Sequence, residues 1–156
     1  SLRSASVLKN LRTLHIRMQQ HSYNAKYLAE KFENDGLKTV YPGLQSHPSH
    51  TLFKSMMNDK YGFGGMMTID VGSLDKANAL MELMQEQNLG YLAVSLGFYK
   101  TLFSAPGSST SSEIPEEEQQ EMGLSDGLIR FSIGLDADIE RTYNMMRTCM
   151  EKLNIL

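Results

Sequence analysis

The sequence has one cysteine, little net charge and no long apolar run among its 156 residues. A net charge of -3, with Lys and Arg spread along the chain, excludes the basic surface that nucleic-acid-binding proteins use. No apolar run approaches the roughly 20 residues that cross a bilayer, and the first ten residues lack the apolar centre of a signal peptide. We therefore expect a cytoplasmic protein with neither nucleic acid nor membrane as a partner.

The lone Cys149 excludes an internal disulfide. It lies in an apolar helical pattern with Met146 and Met150, which favours a buried thiol over a nucleophile. The eleven methionines are expected mainly in the core.

Residue types that form metal or catalytic sites are sparse and badly spaced. His47 and His50 are separated by Pro48 and have no nearby Cys, Asp or Glu to complete a ligand set. His15 and His21 lie six positions apart in a predicted helix, so we expect ordinary surface or partly buried histidines. No glycine-rich segment continues into the Lys and Ser or Thr of a phosphate loop, and no nucleophile elbow is present. We predict no metal site and no catalytic residue.

Hydrophobic residues make up 41% and charged residues 21% of the sequence, typical of a globular protein. Residues 1–156 are expected to form a single domain. Apolar residues at three- and four-residue spacing predict one long amphipathic helix over residues 4–35. Further helices are predicted over residues 50–58, from the capping Ser73 to about residue 87, and after Asp136 or Asp138.

Strands are predicted at residues 37–41, 66–71, 92–95 and 128–133. Their alternation with helices predicts an α/β (α+β) fold, in which a roughly four-stranded open sheet carries helices mainly on one face. The polar stretch 104–123 is predicted to be a long, partly structured loop. Its acidic cluster Glu116 to Glu118 is interpreted as a solvated helix start rather than a metal site.

Arg130 is the main chemical candidate from the residues alone. Along 128–133, Ile129, Phe131 and Ile133 share one face, so Arg130 points to the other. A guanidinium in a sheet needs an anion, and its planar fork suits a carboxylate. Two interpretations stay open here: an internal salt bridge to an acid of the chain, or a site for a ligand's carboxylate.

Five short motifs occur in a characteristic order: LRTLHIRMQQHSYNAKYLAEKFE (11–33), VYPGLQSHPSH (40–50), GGMM (64–67), YLAVSLG (91–97) and GLIRFSIGLD (127–136). From about Val7 to its end the chain resembles the C-terminal part of the Cys/Met metabolism pyridoxal-phosphate enzymes. That family includes cystathionine γ-synthase, cystathionine γ-lyase, methionine γ-lyase and O-acetylhomoserine sulfhydrylase, and the chain looks most like its methionine γ-lyase members.

The resemblance implies a C-terminal substrate domain of a fold-type I enzyme with a long N-terminal helix. In the family, a separate large domain holds pyridoxal phosphate through a lysine, and none of the nine lysines here stands in that motif. We therefore expect that the PLP-binding domain is absent, that the cofactor belongs to a full-length parent, and that the isolated chain is inactive. Ser1 and Leu2 are candidates for residues added to the natural sequence.

The resemblance also implies the substrate contacts. The family's carboxylate-binding arginine falls on Arg130, the serine of its VSLG motif falls on Ser95, and the threonine of its polar loop falls on Thr110. The family's Met and His near that threonine are missing here, which leaves substrate preference open. No cofactor-binding residue is expected.

The implied partners are a sulfur amino-acid substrate, the missing domain and, for the parent, other subunits of a homotetramer. Lyase, synthase and sulfhydrylase activities of the parent remain open. The alternative, from another class, is a non-catalytic binding or assembly module that keeps the family fold.

Overall fold

A computed structural model of the chain describes residues 1–106, 116–121 and 125–156. Within these residues a mixed sheet of five strands has the order β1-β2-β5-β4-β3. The strands are β1 (Lys38–Val40), β2 (Met66–Asp70), β3 (Tyr91–Leu92), β4 (Leu102–Ser104) and β5 (Leu128–Ser132). Neighbouring strands are antiparallel except β3 and β4, which run parallel.

The helices are α1 (Leu2–Leu11), α2 (Leu14–Asn34), α3 (His50–Met56), α4 (Leu74–Glu86), α5 (Glu116–Glu121) and α6 (Ile139–Lys152). Ser73 caps α4 by accepting from Lys76 N–H, and Asp138 caps α6 by accepting from Arg141 N–H, so both predicted helix starts are confirmed. The acidic cluster begins α5, also as predicted.

One face of the sheet forms the core with α2, α4 and α6. On the strands, the inward-facing residues are apolar, among them Ile69, Phe103, Ile129 and Phe131. The helices contribute Leu28 and Phe32 from α2, Leu80 and Met84 from α4, and Met146 and Met150 from α6. Cys149 is buried with them, as predicted. Helices mainly on one face of an open sheet is the predicted fold class, and it is confirmed.

Two features differ from the expectation. The predicted long helix is interrupted at Thr13, whose φ of -110° and ψ of 4° leave the helical region, so α1 and α2 are separate helices. The side chain of Arg17 donates to the Asn10 carbonyl across this break (2.7 Å). The sheet also gains β4, a strand of three residues that is too short to produce a readable alternation.

The strand expected over 92–95 is limited to Tyr91–Leu92 in the structure. Because β3 and β4 are parallel neighbours, the chain must travel back along the sheet between them. Residues 93–101 make this return without regular secondary structure, and we call them the crossover segment. Within the described residues, no helix is both long and apolar enough to span a bilayer.

Candidate functional site

Arg130 lies in the middle of β5, on the face of the sheet opposite the core helices α2, α4 and α6. Its strand neighbours Ile129 and Phe131 are buried in the core, 0% and 1% exposed, so Arg130 and Ser132 project to the opposite face. We call this opposite face, with its residues Thr68, Ser104, Arg130 and Ser132, the outer face. Arg130 is half-buried there, whereas Ser104 and Ser132 are buried.

The crossover segment runs over the outer face and is held there by β5. Nη2 of Arg130 donates to the Val94 carbonyl (2.6 Å) and to the Ser95 carbonyl (3.2 Å). Oγ of Ser132 accepts from the Gly97 N–H (3.0 Å). Gly97 has a φ of +73°, a left-handed conformation that a glycine adopts without steric penalty. Two outward side chains of one strand therefore fix the segment that contains Ser95.

The guanidinium of Arg130 is only partly satisfied. Its Nε is buried and has no hydrogen-bond partner among residues 1–106, 116–121 and 125–156. No ion pair in this described part of the chain involves Arg130 either. The interpretation of an internal salt bridge thus finds no support there. A buried donor without an acceptor costs about 1–3 kcal/mol, which makes it a natural point of contact for an anion.

A second unpartnered group lies beside Arg130. Ser104 on β4 is directly opposite Arg130 in the strand register, and Thr68 on β2 is its partner on the other side. Oγ of Ser104 is buried and makes no hydrogen bond within the described residues. Among the described residues, the outer face thus carries an unpaired Nε–H and an unpaired hydroxyl on adjacent strands.

The structure brings two of the three predicted site residues together. Arg130 contacts Ser95 through the backbone carbonyl of Ser95. Ser95 is exposed, and it lies in the crossover segment, not in the predicted strand. Thr110 lies outside the described residues. Whether Ser95 and Thr110 bind substrate therefore stays a prediction.

Ser132 and Ser104 were not singled out from the sequence. Ser132 follows Arg130 by two positions on a strand, so alternation alone places both on one face. The sequence pattern could therefore have predicted that Ser132 lies beside Arg130. Ser104 gave no such signal, because its proximity to Arg130 depends on the pairing of two strands that are distant in sequence.

The histidines have structural roles where the structure describes their contacts. His21, expected to be an ordinary surface or partly buried histidine, is 4% exposed, and its Nδ1 is 2.6 Å from the Ile133 carbonyl. Nδ1 of His50 is 2.9 Å from the Pro42 carbonyl, and its ring stacks on Phe63. Among the described residues, no group of three His, Cys, Asp or Glu side chains is arranged to hold a metal ion.

The fold and the order of the motifs agree with one family. The model of the Cys/Met metabolism PLP-dependent enzymes matches residues 2–145. The chain belongs to this family. Methionine gamma-lyase of Arabidopsis thaliana is 45% identical over 131 residues, which are 83% of this chain and 30% of that protein.

Solved structures of family members have the same fold. The crystal structure of cystathionine gamma-lyase from yeast has a TM-score of 0.84 and 28% identity over 94% of this chain and 37% of its own. A Campylobacter jejuni structure described as an O-acetylhomoserine (thiol)-lyase, containing a pyridoxyl-lysine monophosphate, has a TM-score of 0.83 and 32% identity over 92% of this chain and 34% of its own. The chain thus spans about a third of the length of the relatives it matches.

The family depends on pyridoxal phosphate, whose covalent anchor in such enzymes is a lysine. A lysine that forms a Schiff base is typically desolvated, which lowers the pKa of its amine. All nine lysines of the chain are exposed. The pKa of Lys100 is raised, which is opposite to the shift expected of a Schiff-base lysine, because its ammonium donates to the Tyr91 hydroxyl (3.0 Å). The lysines of this chain do not fit the covalent anchor of the cofactor.

Proposed function

We propose that this chain is the substrate-binding domain of a longer PLP-dependent enzyme that acts on a sulfur amino acid, and that Arg130 binds the substrate's α-carboxylate. The observation that carries the proposal is the buried, unpartnered Nε–H of Arg130 on the outer face. Membership of the family and a length of about a third of its relatives support it.

The hydrogen bonds of Arg130 leave it ready for a carboxylate. Nη2 is restrained by the carbonyls of Val94 and Ser95, so the plane of the guanidinium is set before any ligand arrives. A carboxylate oxygen that accepts from the unpartnered Nε–H makes a charge-assisted hydrogen bond with a cation whose orientation is already fixed. The restraint reduces the entropy that binding would otherwise cost.

Binding the carboxylate orients the substrate rather than transforming it. A charge-assisted bond from an oriented guanidinium fixes the position of the carboxylate relative to the sheet, and thereby restricts the direction of the bonds at Cα. Pyridoxal phosphate acts as an electron sink when an enzyme of the family holds it. Because the lysines here do not fit its anchor, we assign recognition to this domain and the chemistry to the rest of the longer protein. The proposal covers γ-elimination and γ-replacement alike.

The carboxylate role is tested by Arg130→Ala in the longer holoenzyme, with two probes. L-Norleucine carries a carboxylate and no γ-leaving group, and n-pentylamine is the same molecule without the carboxylate. Titration monitored by cofactor absorbance should give a Kd for L-norleucine at least roughly 100-fold higher in the variant, because a charged, hydrogen-bonded pair is lost. The Kd for n-pentylamine should not change. Equal affinities of variant and parent for L-norleucine would exclude the role.

The assignment of chemistry to another domain has its own test. The isolated chain is incubated with pyridoxal phosphate, reduced with borohydride and digested, and the peptides are analysed by mass spectrometry. Scattered, substoichiometric labelling of exposed lysines is the expected result. Stoichiometric labelling of one lysine contradicts the proposal.

A second candidate, a non-catalytic assembly module, draws on a different observation. Helix α1 has no buried residue, and Val7, Leu8 and Leu11 on it are all more than half exposed. Exposed apolar side chains on one helix favour association. Sedimentation equilibrium of the chain, compared with a Val7→Ser/Leu8→Ser/Leu11→Ser variant, separates the candidates. A tight oligomer that the variant abolishes, in a protein whose reading frame begins near Ser1, favours assembly.

A further inference from the structure

Ser104 has an unusual position relative to Arg130. In the sheet order, β4 lies between β5 and β3. Arg130 begins on β5, and its Nη2 reaches Val94, two residues after the end of β3. An arginine side chain that reaches from β5 towards Val94 extends in the direction of β4. Ser104 is the β4 residue directly opposite Arg130 in the register.

The burial of Ser104 is not explained by the core. Its neighbour Phe103 points to the core and packs against Phe131 at a ring separation of 6.0 Å, so Ser104 projects to the outer face. Ser104 is nevertheless only 5% exposed.

The hydroxyl of Ser104 is an exception on this face. Ser132, also buried there, accepts from the Gly97 N–H, as buried hydroxyls normally have a partner. Ser104 has no partner within the described residues, and neither has the Nε of Arg130, so the two groups do not satisfy each other. Cβ atoms of directly opposite residues are only about 4.5–5.5 Å apart, which keeps both groups in one small region.

The unpaired Nε–H and the unpaired hydroxyl are best satisfied together by one ligand atom that accepts hydrogen bonds. Nε–H of a guanidinium can only donate, and a hydroxyl beside it completes its own bonding best by donating to the same acceptor. A carboxylate oxygen accepts two hydrogen bonds readily, and a bond from a neutral hydroxyl to a charged oxygen is stronger than one between neutral groups.

We propose that Oγ of Ser104 donates a hydrogen bond to the substrate carboxylate oxygen that also accepts from Nε of Arg130. Ser104 is then a third side chain of the carboxylate site, besides Arg130 and the serine that the family motif indicates. The inference rests on the proposed function of Arg130 and adds to it a residue that determines carboxylate affinity.

The test compares Ser104→Ala with Arg130→Ala in the longer holoenzyme, again with L-norleucine and n-pentylamine. Loss of one hydrogen bond to a charged group should raise the Kd for L-norleucine roughly tenfold in Ser104→Ala. The Kd for n-pentylamine should stay unchanged. In the Ser104→Ala/Arg130→Ala double variant, the serine change should add almost nothing, because both groups act on one oxygen.

Two further variants keep the test decisive. Ser104→Cys is nearly the same size with a weaker donor, and its Kd for L-norleucine should be intermediate, even if Ser104→Ala folds poorly. Ser55→Ala removes an exposed hydroxyl on α3 that donates to the Leu52 carbonyl, and it should change neither Kd.

The outcomes separate the two claims. If Arg130→Ala weakens L-norleucine but Ser104→Ala and Ser104→Cys do not, the inference about Ser104 is wrong and the function of Arg130 stands. If Ser104→Ala weakens both probes equally, its role is structural and the inference is again wrong. If Arg130→Ala leaves L-norleucine binding intact, the proposed function fails first.

Discussion

Arg130 and Ser132 are two positions apart on β5, and each holds one part of the crossover segment. Arg130 donates to carbonyls of that segment and Ser132 accepts from an N–H, so the two side chains use opposite polarity. Because the carbonyls also restrain Arg130, any loosening of the segment should loosen the guanidinium. Ser132 is thus a positioning residue for Arg130.

Replacing Ser132 with Ala should expose this role. The Gly97 N–H loses its acceptor, worth about 1 kcal/mol, so its hydrogen exchange should accelerate roughly fivefold. Amide exchange measured by NMR on the chain itself checks this. Ser55→Ala should leave the exchange of Gly97 unchanged, and the amides of the core strand β2 should be unaffected in both variants. Unaltered exchange of Gly97 in Ser132→Ala would falsify the role of Ser132 in holding the crossover segment.

Cys149 provides a second prediction for a single residue. It is 3% exposed in the core, and burial raises the pKa of its thiol. Because the thiolate is the reactive form, native protein at pH 8 should react with a disulfide reagent at least roughly 100-fold more slowly than protein in denaturant. Absorbance of the released thiolate measures both rates. A native rate close to the denatured rate contradicts burial.

The sequence predicts some residues of the candidate site and not others, and each case has a physical reason. Arg130 stood out because a charged residue in an apolar strand has few explanations. Ser132 lies two positions further along the same strand, so the alternation places it on the same face as Arg130. Ser104 could not be found, since a three-residue strand has no readable period and strand pairing is a long-range property.

Among the elements, helices α4 and α6 were predicted with their caps because Ser73 and Asp138 act on N–H groups three residues away. The break between α1 and α2 was missed. Apolar spacing continues across Thr13, so periodicity alone reads one helix, while local backbone geometry at Thr13 divides it. Capping residues thus predicted where helices begin, whereas apolar spacing did not reveal that one predicted helix is two.

The end of β2 carries a pH-sensitive contact. Oδ1 of Asp70 accepts from the Gly72 N–H (2.9 Å), and Oδ2 lies 3.5 Å from Nζ of Lys38 on β1. Partial burial acts to raise the pKa of Asp70, but hydrogen bonding and the Lys38 ammonium outweigh it, so the pKa lies below its usual 3.8. A folded-state pKa below the unfolded one means that ionised Asp70 stabilises the fold above the unfolded pKa.

Asp70→Asn should therefore lower the free energy of unfolding by about 0.5–1 kcal/mol at pH 7. The difference from the parent should shrink as the pH falls below about 4 and through the folded-state pKa, because the stabilisation from ionised Asp70 is lost there. Urea unfolding at a series of pH values measures it. Glu86→Gln, at the exposed end of α4, is the matched control and should show no such trend. A difference that grows towards low pH contradicts the assignment.

At the scale of the whole molecule, burial is uneven. The core joins one face of the sheet to α2, α4 and α6, whereas apolar side chains stay exposed on α1 and in the crossover segment. Those with more than half of their surface exposed include Val7, Leu8, Leu11, Val94, Leu96 and Tyr99. Contiguous exposed apolar side chains are typical of surfaces that contact other proteins or domains. The uneven burial also separates the parts of the chain that stabilise the isolated fold from those that do not.

Removing residues 1–10 should leave the free energy of unfolding within about 0.5 kcal/mol of the parent, because α1 buries no residue. The matched deletion is residues 153–156, which are fewer but pack Leu153, Ile155 and Leu156 against the core. Their partial burial is worth about 2–3 kcal/mol, so this shorter deletion should destabilise the chain much more. Urea titration followed by circular dichroism compares the three proteins. If both deletions lower the free energy of unfolding by comparable amounts, α1 packs against the rest of the chain in solution. Its apolar side chains would then contribute to the stability of the isolated fold.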